Sequence, residues 1–374
     1  MDEWRKYRLG DLFERVTRKN INLESENVLT ISAQYGLINQ EEFFNKSVAG
    51  KNLKNYYLLK KGEFAYNKSY SSGYPMGATK ILENYDSGIV STLYICFKSK
   101  SKLVNNEYFK YFFESKEYYD ELYKIAQEGA RNHGLLNVNT EDFFNIRISI
   151  PSIEEQEKIV ILLKKIDIII KKLEDEILLF SKIKKAVNTN ILKSFNDRER
   201  IENIFKITRG YVLSKDKIKN EMDEGYKYPV YSSQTKNNGL LGYYKDYLYE
   251  DAITWTTDGA NAGTVNFRKG KFYCTNVCGV LLDNRGYANE CMAEILNQIA
   301  YKHVLYVGNP KLMNNVMAKI LVPVPSINEQ NKISNYLRKS INYETKLLDK
   351  KIYYQKLKKG LMQQLLTGKV RVKI

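Results

Sequence analysis

Polar, basic and aromatic side chains able to offer hydrogen bonds, charge and flat rings to a ligand gather in two glycine-punctuated regions of the chain. In the first half they are Gln34, Tyr35, Asn67, Lys68, Tyr70, Ser71, Tyr74, Arg131 and His133. In the second half they are Ser233, Gln234, Lys236, Asn237, Thr257, Asp258, Asn261 and Lys311. Glutamine can pair bidentately with adenine, and other polar side chains can present donors and acceptors to base edges in the major groove. Lysine and arginine meet phosphates, which positions a protein without reading sequence. Tyrosine offers a flat ring and a hydroxyl donor together. For each residue the plain alternative is a solvated loop or an internal turn bond, and His133 is equally suited to a satisfied structural role.

Catalytic chemistry has far less support. Asn309-Pro310-Lys311-Leu312 begins like the NPPY-type motif of base amino-methylation but lacks the second proline and the aromatic. Gly259–Gly263 (GANAG) has no following Lys-Ser or Lys-Thr, so it reads as a turn between strands and not a phosphate loop. Glu114-Ser115-Lys116 matches half of a nuclease motif inside a predicted helix, where so short a match arises readily by chance. The cysteines are Cys96, Cys274, Cys278 and Cys291, and the histidines are His133 and His303. A zinc site needs four ligands, and Cys274 and Cys278 have no second pair near them. Reduced, buried thiols are expected, with no metal and no cofactor in this chain.

The chain has 374 residues and a formal net charge of +16, the electrostatic footprint of a nucleic acid or an acidic partner. Thirty tyrosines and 15 phenylalanines accompany those cations, which favours nucleic acid over mere solubility. No stretch approaches the roughly 18 apolar residues of a membrane span. The opening MDEWRKYRLG has no apolar signal core, so a cytoplasmic location is expected.

The elements that must position these side chains come twice. PSIEEQEKI at 151–159 returns as PSINEQNKI at 325–333, 174 residues later, and KIKKAVNTNIL at 182–192 returns at the same offset as KLKKGLMQQLL. Ser152 with Glu155, and Ser326 with Glu329, have the spacing of a helix capping box. Behind the first cap, Ile159, Leu163, Ile166, Ile170, Leu173 and Ile177 step by threes and fours, a coiled-coil seam that Lys184 breaks and Ile183 is placed to mend. Behind the second, Ile333, Leu337, Ile341, Leu348, Ile352 and Leu361 form a poorer seam that Ser340 and Glu344 interrupt. Forty residues make a rod of roughly 60 Å. Two such rods can bury their seams on each other, antiparallel, in a pseudo-twofold molecule.

In front of each rod lies a β-rich segment. LTISA (29–33), EFAYN (63–67), GIVSTLYICF (88–97) and IRISIP (146–151) predict strands, and 107–128 predicts one helix. The blocks recur in order in the second half. Leu12-Phe13 matches Ile204-Phe205, ISAQYG (31–36) matches YSSQTK (231–236), FAYNKS (64–69) matches ITWTTD (253–258), and VSTLYI (90–95) matches CTNVCG (274–279). The expected architecture is α+β: two similar α/β domains at 1–150 and 198–324, each followed by a helix, at 151–197 and 325–374.

Over almost its whole length the chain resembles the specificity subunits of type I restriction–modification systems. The twice-used PSIxEQxxI after a short strand carries the resemblance. So do PVYSSQTKNNGLLGYY (229–244) with ITWTTDGANAGTV (253–265), and QYGLINQEEFFNKSV (34–48) with YYLLKKGEFAYNKSYSSGYPMGA (56–78). The resemblance implies a non-catalytic protein that binds a split double-stranded DNA target, one half per domain. It also implies two modification (methyltransferase) subunits held on the helices, restriction (motor-nuclease) subunits for cleavage, and S-adenosylmethionine in the modification subunit only. A stand-alone DNA-binding regulator that dimerises through the helices is the alternative.

Overall fold

The computed structural model describes residues 4–32, 35–44, 52–70, 73–128, 136–234 and 236–372, with the backbone alone at Leu192, Lys193 and Lys236. The chain divides into two compact units, Met1–Lys172 with Lys351–Ile374, and Leu173–Lys350. The central helix (Ile153–Lys193) and the C-terminal helix (Ile327–Leu365) each contribute one part to each unit.

Both units are built on the same antiparallel sheet. In the first its strand order is Phe13–Arg15, Ile95–Ser99, Phe64–Asn67, Ala78–Ile81. In the second the order is Lys206–Arg209, Cys278–Leu282, Tyr249–Thr256, Val265–Cys274, followed by Tyr228–Tyr231 and Leu240–Tyr244. In each unit a short helix enters the sheet, Leu9–Leu12 or Ile201–Ile204. Just ahead of it, a short strand pairs with the strand that leads into a long helix: Arg5–Arg8 with Arg147–Ile150, and Arg198–Arg200 with Leu321–Pro323. The domain repeat is therefore topological as well as sequential.

Packing explains where the strands and helices begin and stop. In the first unit Phe13, Phe64, Phe97 and Phe113 are buried in mutual ring contacts, with Phe64 and Phe97 stacked 5.3 Å apart. In the second unit Trp255 lies at the centre of the core with Ile253 and Leu281. The expected strand over 88–97 is two strands, Ser87–Val90 and Ile95–Ser99, because a turn at Ser91–Tyr94 intervenes with the Tyr94 amide on the Ser91 carbonyl. The expected single helix over 107–128 is likewise two, Asn106–Phe112 and Lys116–Ile125. The first ends with Phe113 as its cap, and Ser115 caps the second, its hydroxyl accepting from the Tyr118 amide.

The long helices pair antiparallel: Asp167 bonds Lys358 at 2.6 Å, and Glu155, earlier on the central helix, meets Arg371, beyond the end of the other. Ile159, Leu163, Ile166 and Leu173 are buried, and Ile170 and Ile177 half-buried, along this face. On the C-terminal helix the expected track needs correction. Leu337 is buried, and Ile333 and Leu361 half-buried, but Ile341, Leu348 and Ile352 are exposed. The buried track runs instead through Ser334, Ser340 and Leu347. Ser340 is small enough to sit in the interface, and Glu344 reaches Lys184 at 2.8 Å. The two residues that break the opposing seams are thus each other's partners, and Ile183, placed to substitute for Lys184, is exposed.

Candidate nucleic-acid interface

In each unit the residue after the sheet's middle strand anchors a later segment of chain. The Leu136 amide donates to the Lys68 carbonyl, and the Leu312 amide donates to the Thr257 carbonyl, both at 2.9 Å. Lys68 and Thr257 occupy matching places, after Phe64–Asn67 and Tyr249–Thr256. A short helix follows each anchor, Thr140–Asn145 or Asn314–Ala318, and leads to the strand before a long helix.

In the second unit five loops are bonded into one surface. The Thr257 amide donates to the Val277 carbonyl, and the Gly259 amide to the Pro310 carbonyl. The Thr275 amide donates to the Tyr231 carbonyl, while its hydroxyl bonds Ser232 at 3.1 Å. Arg209 donates to the Asn276 carbonyl at 2.7 Å, and the Tyr211 amide donates to the Cys274 carbonyl. Gly210 is obligatory here, because a Cβ would fall 2.2 Å from the Cys274 carbonyl oxygen. Ser233, Gln234, Asn237, Asp258, Asn261 and Lys311 all lie on this connected set of loops. Asp258 and Lys311 face each other across a bridge, and Asn237 and Lys311 are exposed. The Gln234 side-chain amide donates to the Leu240 carbonyl, which holds the side chain while leaving its oxygen available.

Beneath the loop after Tyr231 lies Arg268, 7% exposed. Its guanidinium stacks 3.7 Å from the Tyr231 ring centre, and its Nε donates to Thr254 at 3.0 Å. Burial holds its pKa below the ordinary arginine value.

Thr257 is a correction. It is fully buried, and its amide, carbonyl and hydroxyl are all engaged within the protein, the last on Asp258. It shapes the surface and cannot reach a base. Gly259–Gly263 is a tight turn as its glycines suggest: the Ala262 amide donates to Gly259 and the Gly263 amide to Thr256.

In the first unit the surface is less continuous. Asn67 is half-buried, its side-chain oxygen accepting from the Ser69 amide. Lys68 is half-buried with its Nζ 3.5 Å from the Val138 carbonyl. Tyr70 is 62% exposed, and Tyr35 is 66% exposed on the turn of the separate hairpin Leu29–Ser32/Gly36–Asn39. Tyr74 is a second correction. Its hydroxyl donates to Glu114, Lys80 stands over its ring and pairs with the same carboxylate, and burial beside Glu114 raises its pKa. It belongs to an internal network. Glu114 is thereby engaged, and Lys116 pairs with Asp120, so the half nuclease motif has no shared site. Gln34, Ser71, Arg131, His133 and the Lys236 side chain lie outside the described residues.

Arg209 and Tyr211 escaped the sequence reading. Their one signal is the Arg-Gly-Tyr at the end of the strand Lys206–Arg209, a cation and an aromatic on either side of a glycine. Among the described residues no cluster of three or more His, Cys, Asp or Glu is placed to hold a metal, and no helix is long and apolar enough to cross a membrane. All four cysteines are free and buried. Burial pushes the Cys96 thiol up to about 12 and Cys278 up to about 11.

The family described as "Type I restriction modification DNA specificity domain" matches residues 1–179 and again 197–354. The chain belongs to that family, whose members are non-catalytic DNA-recognition components of type I restriction–modification systems. It is 44% identical over 141 residues to a putative type I specificity subunit N-terminus from Mycoplasma pneumoniae, covering 37% of this chain and 74% of that protein. It is 24% identical over 333 residues to the MjaVIII specificity subunit of Methanocaldococcus jannaschii, covering 76% of this chain and 75% of that one. For two further M. pneumoniae relatives the match spans 38% and 58% of their length. Among solved structures, the S subunit from M. genitalium superposes with a TM-score of 0.60 at 15% identity over 97% of this chain and 96% of that one. A second structure, titled for assembly and conformational transition of the type I system, also gives 0.60, at 13% identity over 99% of both chains. The protein is thus a DNA-recognition subunit whose partners are DNA and the other subunits of such a complex. Nothing in these comparisons supports the stand-alone regulator.

Proposed function

We propose that the chain reads a bipartite DNA target, one half-site per recognition domain, and holds two modification subunits that methylate it. The duplicated sheet, each copy carrying its own anchored loop surface ahead of a long helix, is the observation that carries this reading. The two surfaces differ in their side chains while the frames match, so each domain reads its own sequence. The exposed apolar residues of the long helices, Leu178 and Leu179 on one and Ile341 and Leu348 on the other, offer contact area for those subunits. S-adenosylmethionine binds in the modification subunit, and restriction subunits join for cleavage. The test is to mix the purified chain with its modification subunit and S-adenosylmethionine and to map methylated bases. A target of two short blocks with an unread gap is expected; one continuous target, or none, overturns the reading.

A further inference from the structure

Residues 305–311 of the second unit form a hairpin closed by reciprocal bonds, the Leu305 amide on the Lys311 carbonyl at 2.9 Å and the Lys311 amide on the Leu305 carbonyl at 3.0 Å. Gly308 turns the tip with φ +74°, a value an L side chain rarely takes. The base of the hairpin is fixed. Val304 and Leu312 are buried, Leu312 accepts from the Trp255 indole at 2.9 Å, and Pro310 accepts from Gly259. Its tip faces outward with apolar residues: Val307 is 93% exposed and Tyr306 69%. Tyr211 and Val212, on the loop bonded to the 274–277 turn, are also exposed, at 61% and 76%.

A rigid hairpin with an apolar tip gains nothing from water, and contiguous exposed apolar surface of this kind marks a contact site. Its surroundings say what covers it. Lys302 and His303 precede the hairpin, Lys311 closes it, and Asn309 adds an amide at the tip, within a chain of net charge +16. Apolar side chains on a hairpin flanked in sequence by Lys302 and Lys311 suit a DNA groove, where phosphates meet the lysines and the apolar atoms meet thymine methyls or a base step.

We infer that the 305–311 hairpin enters a groove of the half-site read by the second domain and sets Tyr306 and Val307 against its bases. This rests on the DNA-reading function proposed above and names residues that reading does not require. The test replaces Tyr306 with Ala and Val307 with Ser together in the full chain, assembled with the modification subunit. Because both side chains are solvent-exposed, the variant should assemble and melt as the parent does. Affinity for the methylated site should fall roughly 10- to 100-fold, while affinity for unrelated duplex and the salt slope of binding stay unchanged. The single variant Val307→Ile should keep most of the affinity. Unchanged affinity for the site overturns the inference. So does an equal loss on specific and unrelated DNA, which would make the tip a backbone contact, and so does failure of subunit assembly, which would make it a protein contact. If the parent complex itself shows no site preference, the proposed function fails and not the hairpin alone.

Discussion

A buried glutamine in each repeat ties a long helix to its domain. Gln156 donates from its side-chain amide to the Pro151 and Leu103 carbonyls and accepts from the Asn105 amide. Gln330 donates to the Pro325 carbonyl and accepts from the Asn289 side chain. Asn105 and Asn289 in turn cap helices Asn106–Phe112 and Glu290–Ala300. The repeated Glu-Gln of the sequence is therefore a hinge lock, fixing the direction in which each helix leaves its sheet. Replacing Gln156 or Gln330 with Ala strands buried polar groups and should cost about 1–3 kcal/mol each. Thermal or denaturant unfolding of the single variants measures this, and an unchanged midpoint would refute the lock. The two preceding glutamates have diverged. Glu329 completes the capping box, accepting from both the amide and the hydroxyl of Ser326. Glu155 is turned to Arg371 at 2.8 and 2.6 Å, with its side chain 1% exposed. The Ser-x-x-Glu spacing was legible, but Arg371 lies 216 residues away and no local pattern announces it. The thiols offer a further check at this scale. Held in the core with raised pKa values, all four should resist alkylation at pH 8 in the native protein and react once it is unfolded. Rapid native labelling of Cys96 would contradict the packing described.

The long helices were the most legible elements, because a seam with steps of three and four residues is a property of the local sequence. Where the seam is imperfect, sequence misplaces the buried face. Ile341, Leu348 and Ile352 look like seam residues until Glu344 is seen to bond the partner helix, with Ser340 and Leu347 buried in their place. Lys184 and Glu344 each look like a defect alone and make sense only as a pair. Two further contacts join the helices beside them. Tyr343 donates to Glu176 at 2.5 Å, and its ring meets Phe180 edge-on at 5.0 Å. Replacing Ile166, Ile170 and Leu173 together with Asp places uncompensated charge in the seam at several kcal/mol per buried group. That variant should fail to assemble with modification subunits in size-exclusion chromatography. Normal assembly and normal methylation would mean the helices do not pair as described. Loops were the least legible elements. Thr257 has the type and position of a base reader, and only its bonds to Val277 and Leu312, both distant in sequence, show that it is a strut.

At the scale of the molecule, the sheet order was invisible to sequence, yet the block matches ISAQYG/YSSQTK and FAYNKS/ITWTTD already implied that one plan is used twice. The structure supplies what those matches could not, a common four-strand order in the two units with two extra strands in the second. It follows that each recognition domain should be exchangeable within its frame. Exchange of residues 198–324 for the matching segment of another specificity subunit, followed by methylation mapping with the native modification subunit, tests this most directly. The account predicts that one half of the target changes to that of the donor while the other half is untouched. A change in both halves, or in neither, would contradict it.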